Sequence, residues 1–127
     1  IIGCDNSISP EQSYSEKKVI IDGERYKNAP NDSFSFTNVE IIDDCIKLTI
    51  QYGGGCGNIK VNLYDSGVLA MSNPPQKYLR LSLKDMDNCE ALITKVLKFE
   101  LSSIQSICFN KVILNIDGWG KQIEYDY

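Results

Sequence analysis

Alternation with a period of two runs through most of this chain and limits its fold more than any other feature. Ile46, Leu48, Ile50 and Tyr52 are interleaved with Lys47, Thr49 and Gln51. Ile59, Val61 and Leu63 flank Lys60 and Asn62, and Leu79, Leu81 and Leu83 flank Arg80 and Ser82. Leu97, Phe99 and Leu101 alternate with Lys98 and Glu100; Val112, Leu114 and Ile116 follow, then Ile123, Tyr125 and Tyr127. Earlier, Phe34, Phe36, Val39 and Ile41 lead into the turn pair Asp43-Asp44. Successive side chains of a strand point to opposite faces, so this pattern predicts strands with one dry and one wet face. No segment shows a convincing 3.6 period. About seven short strands, spaced by Gly, Asn, Asp and Pro turns, predict an all-β fold. The expected form is a single antiparallel β-sandwich of immunoglobulin-like architecture, with a small β-barrel as the alternative.

The breaks between strands carry their own signals. Asp22-Gly23 sits between two β-favouring runs and reads as a hairpin turn, or as a strand and turn leading in. Asn28 to Ser33, with Pro30 inside, reads as loop. Gly53-Gly54-Gly55-Cys56-Gly57 ends one strand, Asp65-Ser66-Gly67 reads as a turn, and Ser72-Asn73-Pro74-Pro75 cannot pair as a central strand. Ser102 to Gln105 has room for one helical turn capped by Ser102 or Ser103.

A chain of 127 residues makes one domain. Thirteen basic against seventeen acidic residues leave a net charge of -4, which gives no electrostatic footprint for nucleic acid. The absence of His excludes Ser-His-Asp and Cys-His catalysis and every zinc site that uses His. The opening Ile1-Ile2-Gly3-Cys4 fits a bacterial lipobox: an apolar pair, a small residue before the cut, and a Cys whose sulfur takes the lipid. The polar, Ser-rich stretch from Asp5 to Glu16 then reads as a tether. Residues 1–17 are therefore expected to be signal-peptide remnant, lipobox and flexible tether, and residues 18–127 the sandwich. Cys4 is the expected lipid anchor. No run of about 18 apolar residues exists to span a bilayer.

Setting Cys4 aside leaves Cys45, Cys56, Cys89 and Cys108, which allow three pairings. Cys56 with Cys89 is the preferred disulfide, because one lies just before a strand and the other just after one. Cys45 and Cys108 adjoin apolar runs and read as free, buried thiols. No Cys-x-x-Cys spacing suggests a metal cluster.

The body of the chain resembles a family of small uncharacterised lipoproteins from Bacteroidota-type bacteria. The resemblance rests on Tyr52-Gly53-Gly54-Gly55-Cys56-Gly57 and on Asp85-Met86-Asp87-Asn88-Cys89-Glu90-Ala91-Leu92-Ile93-Thr94. Phe99-Glu100-Leu101-Ser102 and the closing Ile123-Glu124-Tyr125-Asp126-Tyr127 complete it. It implies export, a lipid anchor and the Cys56–Cys89 pair, and it implies no activity. Members often carry His after the Cys-Gly and before the Asp-rich turn. Asn58 and Lys84 occupy those neighbourhoods here, so no His-dependent property carries over.

Few side chains suggest chemistry. Asp85, Asp87 and Asn88 cluster oxygen ligands of the kind Ca²⁺ takes, but the EF-hand pattern is not met, and a solvated turn accounts for them better. Ca²⁺ is thus a minor alternative to an expectation of no cofactor and no metal. Asp43-Asp44 with Glu40 or Asp126 would make a carboxylate dyad only if the fold converged them. The Gly-rich run lacks the Lys-Ser/Thr of a phosphate loop. Trp119, between Gly118 and Gly120 on a turn, is the leading binding candidate. The expected role is a non-enzymatic, lipid-anchored binding or structural module of the cell envelope. It would sit at the outer membrane or face the periplasm, and its partner would be an envelope protein or glycan. The alternatives are a carboxylate- or metal-dependent hydrolase, and an inhibitor presenting the Ser72–Gln76 loop.

Overall fold

The computed structural model describes residues 17–53, 59–86 and 92–127. The seven expected strands all form: β3 (Ser35–Ile42), β4 (Cys45–Gly53), β5 (Ile59–Ala70), β6 (Gln76–Asp85), β7 (Leu92–Glu100), β8 (Lys111–Ile116) and β9 (Gln122–Asp126). Two two-residue strands precede them, β1 (Lys17–Lys18) and β2 (Ile20–Ile21). A four-stranded sheet, in the order β1-β7-β4-β3, packs on a five-stranded sheet, β2-β5-β6-β8-β9. The domain is all-β. Its core is the apolar half of the alternation: Leu48 and Ile50 from β4, Leu97 and Phe99 from β7, and Leu81 and Leu114 facing them, all buried. Val19 is buried where the chain steps from one sheet to the other.

The sheets are mixed rather than purely antiparallel. β1 with β7, β2 with β5, and β6 with β8 run parallel. After β6 the chain crosses to the other sheet as β7, and β8 returns beside β6 after two reversals, hence in the same direction. Period-two alternation reports which face is buried, and says nothing about the direction of the neighbouring strand.

Two turn readings give way. Asp22-Gly23 opens a short helix, α1 (Gly23–Asn28), instead of a hairpin. The Asp22 carboxylate accepts from the backbone N–H groups of Glu24 and Arg25 at 3.1 and 3.0 Å, which satisfies donors that a helix start leaves open. Gly23 is required there: a Cβ would lie 2.9 Å from the Ser66 carbonyl oxygen. Asp65-Ser66-Gly67 does not end its strand either. β5 continues to Ala70, and its register against β6 shifts between Asp65 and Leu69. Gly67 takes φ +85° in this bulge, a conformation that glycine adopts freely. Asp65 is fully buried there, its carboxylate 3.0 Å from the Lys77 ammonium and accepting from the Gly67 N–H at 2.8 Å.

The helical turn expected after β7 is a 3-10 turn at Ser102–Ile104. Neither serine caps it; the Ser103 hydroxyl instead donates to the Val19 carbonyl. No helix among the described residues is long and apolar enough to cross a membrane.

Candidate binding site

β6 is flanked by β8 only from Gln76 to Leu79. At that point β8 leaves, its last contact a hydrogen bond of 2.9 Å from the Asp117 N–H to the Leu79 carbonyl. The segment after α1 takes up the vacated flank. Leu83 N–H donates to the Pro30 carbonyl at 3.2 Å, Asp32 N–H donates to the Leu83 carbonyl at 2.9 Å, and the Ser82 hydroxyl donates to Pro30. The fork between these two departing chains leaves a hollow of about 390 Å³. Asn31, Asp32, Phe34, Phe36, Arg80 and Asp117 are among its walls.

The walls are held in place by bonds made outside the hollow. Arg80 donates from Nη1 to the Tyr26 carbonyl at 2.8 Å and from Nη2 to the Ala29 carbonyl at 3.0 Å, which fixes the end of α1. Asp32 accepts from the Asp85 N–H at 2.8 Å. Phe34 meets Phe36 edge to face with ring centroids 5.1 Å apart, and Phe36 meets Trp119 at 6.3 Å. Gly118 takes φ +92°, and a Cβ there would sit 3.5 Å from the Phe36 ring. The Lys121 ammonium lies 5.8 Å from the Trp119 ring centroid, within cation–π range. Burial, and then the Asp117 carboxylate, raise the Tyr26 phenol pKa; the nearby Arg80 charge works the other way. That phenol therefore stays protonated at neutral pH. The Asn31 side chain and the Asp117 carboxylate make no hydrogen bond or ion pair among the described residues. A mixed set of donors and acceptors around an aromatic wall suits a polar organic ligand.

The sequence candidates fall unevenly around this hollow. Trp119 is half-buried and packs on the core; it does not line the hollow itself but supports the Phe36 ring that does. Asp85 touches the site through its backbone N–H. Asp87, Asn88, Cys4, Cys56 and Cys89 lie outside the described residues. Cys45 is not the free thiol expected: it is buried and disulfide-bonded, with a partner outside the described residues. Cys108 is free, as expected, but it is exposed rather than buried.

The carboxylates do not converge. Asp44 accepts from the Tyr125 hydroxyl at 2.8 Å, Glu40 faces Lys47 at 3.4 Å, and Asp126 faces Lys111 at 3.7 Å. No group of three or more His, Cys, Asp or Glu that could hold a metal forms among the described residues. The Pro74-Pro75 loop is pinned: Pro75 is buried and its carbonyl accepts from the Ile113 N–H at 2.9 Å. The residues missed from sequence are Asn31, Asp32, Phe34, Phe36, Arg80 and Asp117. The available signal was Arg80, a charge set between Leu79 and Leu81 in an alternating strand.

No protein-family model matches the sequence, and no curated protein matches it. Solved structures do match its fold. One is a protein of unknown function, DUF1344, from Bacteroides vulgatus, with TM-score 0.61 and 13% identity over 88% of this chain and 56% of that one. Another is a NigD-like immunity protein from Bacteroides caccae, with TM-score 0.60 and 11% identity over 89% of this chain and 66% of that one. At such identities the likeness is one of fold. This chain spans 56% and 66% of the length of those two chains. Both belong to the bacterial group that the sequence motifs resemble.

Proposed function

We propose that this chain is an exported, lipid-anchored β-sandwich module of the bacterial cell envelope that binds a partner through the fork beside β6. The observation that carries the reading is the hollow at Asn31, Arg80 and Asp117. Its walls are fixed from behind by Arg80 and Asp32, while the Asn31 side chain and the Asp117 carboxylate make no hydrogen bond or ion pair among the described residues. Preorganised and unspent polar groups are the mark of a binding surface. A non-catalytic role is favoured by the carboxylates, which serve as partners for Tyr125, Lys47 and Lys111. One fold neighbour is described as an immunity protein; as a fold-level analogy that also favours binding over catalysis.

Export is supported by the lipobox and by the bond at Cys45, since disulfides persist in oxidising compartments. Intact mass of protein made from its full precursor tests the anchor. A diacylglyceryl adduct on Cys4 supports the anchor, whereas an unmodified Cys4 with five free thiols ends both the anchor and the export reading.

The binding role is tested by a photo-crosslinking side chain at Ser33, on the lip of the fork, in bacteria carrying the precursor. The same probe at Thr94, exposed on β7, is the control. Adducts at Ser33 and not at Thr94 are expected. Equal labelling, or none at either, would remove the fork as a site.

A further inference from the structure

We infer that the fork hollow is a carbohydrate subsite, shaped for one or two sugar rings of a neutral glycan. The inference rests on the binding role proposed for the fork and names its ligand class. A sugar ring offers two surfaces at once. Its C–H face is weakly apolar and packs on aromatic side chains, and its rim carries adjacent hydroxyls that each donate and accept. A site for it needs an aromatic wall together with planar polar groups of both kinds. The hollow supplies the wall through Phe34 and Phe36, backed by Trp119. The Asn31 amide donates and accepts, the Asp32 and Asp117 carboxylates accept, and the Arg80 guanidinium donates. Ser33 and Ser35 add hydroxyls that do both.

Charge and size narrow the class. One guanidinium stands against two carboxylates, and two of its nitrogens already hold the Tyr26 and Ala29 carbonyls. A phosphate or other anion would meet net repulsion there, whereas a neutral polyol would not. Sites for small ligands span about 300–1,000 Å³, so 390 Å³ suits one or two rings. A protein partner would favour a broad apolar centre, which the fork lacks. The walls come from β3, β6, the β8–β9 turn and the strand-like run at Asn31, so little ordering accompanies binding.

Trp119 is the only tryptophan of the chain, and it rests on Phe36 at the wall. Its emission therefore reports on the hollow through the Phe36 ring. Cellobiose, maltose and N,N′-diacetylchitobiose, each titrated to millimolar concentration, are the probes. At least one is expected to shift the emission saturably. Asn31→Ala and Asp117→Ala are each expected to weaken that sugar about tenfold or more, the loss of one good hydrogen bond. Thr94→Ala is expected to leave it unchanged. Both variants are exposed changes, and denaturation midpoints confirm that they fold. No shift with any of the sugars, or a shift that survives both variants, overturns the inference. If the sugars fail while Ser33 still crosslinks, the ligand class falls and the binding role stands; if both fail, both fall.

Discussion

The two ends of the sandwich are built from the same kinds of side chain and use them in opposite ways. At the hairpin end, the buried Tyr125 of the five-stranded sheet donates to Asp44, in the β3–β4 turn of the four-stranded sheet, at 2.8 Å. The same hydroxyl accepts from the Gln105 amide at 2.8 Å. Tyr127 lies 5.1 Å from it, ring to ring, and accepts from the Ser106 N–H at 3.0 Å. The Asp44 carbonyl accepts from Leu101 N–H at 2.8 Å. Every polar group named there serves another, and the cluster latches the two sheets together. At the fork, aromatic rings, carboxylates and an amide gather again, yet Asn31 and Asp117 face a hollow with their hydrogen-bonding capacity unspent. Composition does not tell these ends apart. Whether the polar groups are consumed by the fold does.

The comparison breaks most easily at the latch. Tyr125→Ala removes a fully buried aromatic and leaves a cavity, so a loss of about 3–5 kcal/mol is expected in urea denaturation. A loss below about 1 kcal/mol would mean that the latch does not hold the sheets.

The latch also sets a pH limit. Burial first, and then the Asp44 carboxylate, raise the Tyr125 pKa well above its ordinary value, although the Gln105 bond lowers it somewhat. The folded state therefore keeps this proton after the unfolded chain has released it at about pH 10. Stability contributed by the neutral phenol is complete below pH 10 and falls as pH rises beyond it. Tyr125→Phe is expected to flatten that alkaline fall, and to cost about 1–3 kcal/mol at neutral pH by leaving Asp44 and Gln105 without their partner. An unchanged alkaline slope would show that another group sets it.

At the fork the effects shrink. Gly118→Ala places a Cβ at φ +92° against Phe36. It is expected to cost about 1 kcal/mol or more and to shift Trp119 emission, because the aromatic wall must move. Asp117→Ala is the smallest, within about 0.5 kcal/mol of the parent, since its backbone bond to Leu79 survives. A large loss there would make Asp117 a structural carboxylate like Asp44 and would close the distance between the two ends.

The sequence made the strands legible and the site obscure, for one reason. Alternation registers burial, and the alternating apolar residues of β3 to β9 sit in or against the core, so all seven could be read. Strand direction leaves no such trace, which is why the parallel β6–β8 pair went unseen. Asp22-Gly23 and Asp65-Ser66-Gly67 read as turns because the residues that favour turns also cap helices and form bulges; only tertiary context separates these uses. The fork is assembled across long separations, with Arg80 reaching carbonyls 54 and 51 residues away. Asn28 to Ser33 has no period, and nothing local reveals that it runs beside Leu83. Trp119 was found because an aromatic between two glycines stands out by itself.

The most direct test compares Tyr125→Phe with Asp117→Ala in one titration of the sugar that shifts Trp119 emission most. The account expects Tyr125→Phe to bind like the parent while unfolding earlier in urea, and Asp117→Ala to unfold like the parent while binding at least about tenfold more weakly. The reverse pattern, or equal binding by both variants, would contradict the division between a structural latch and a binding fork.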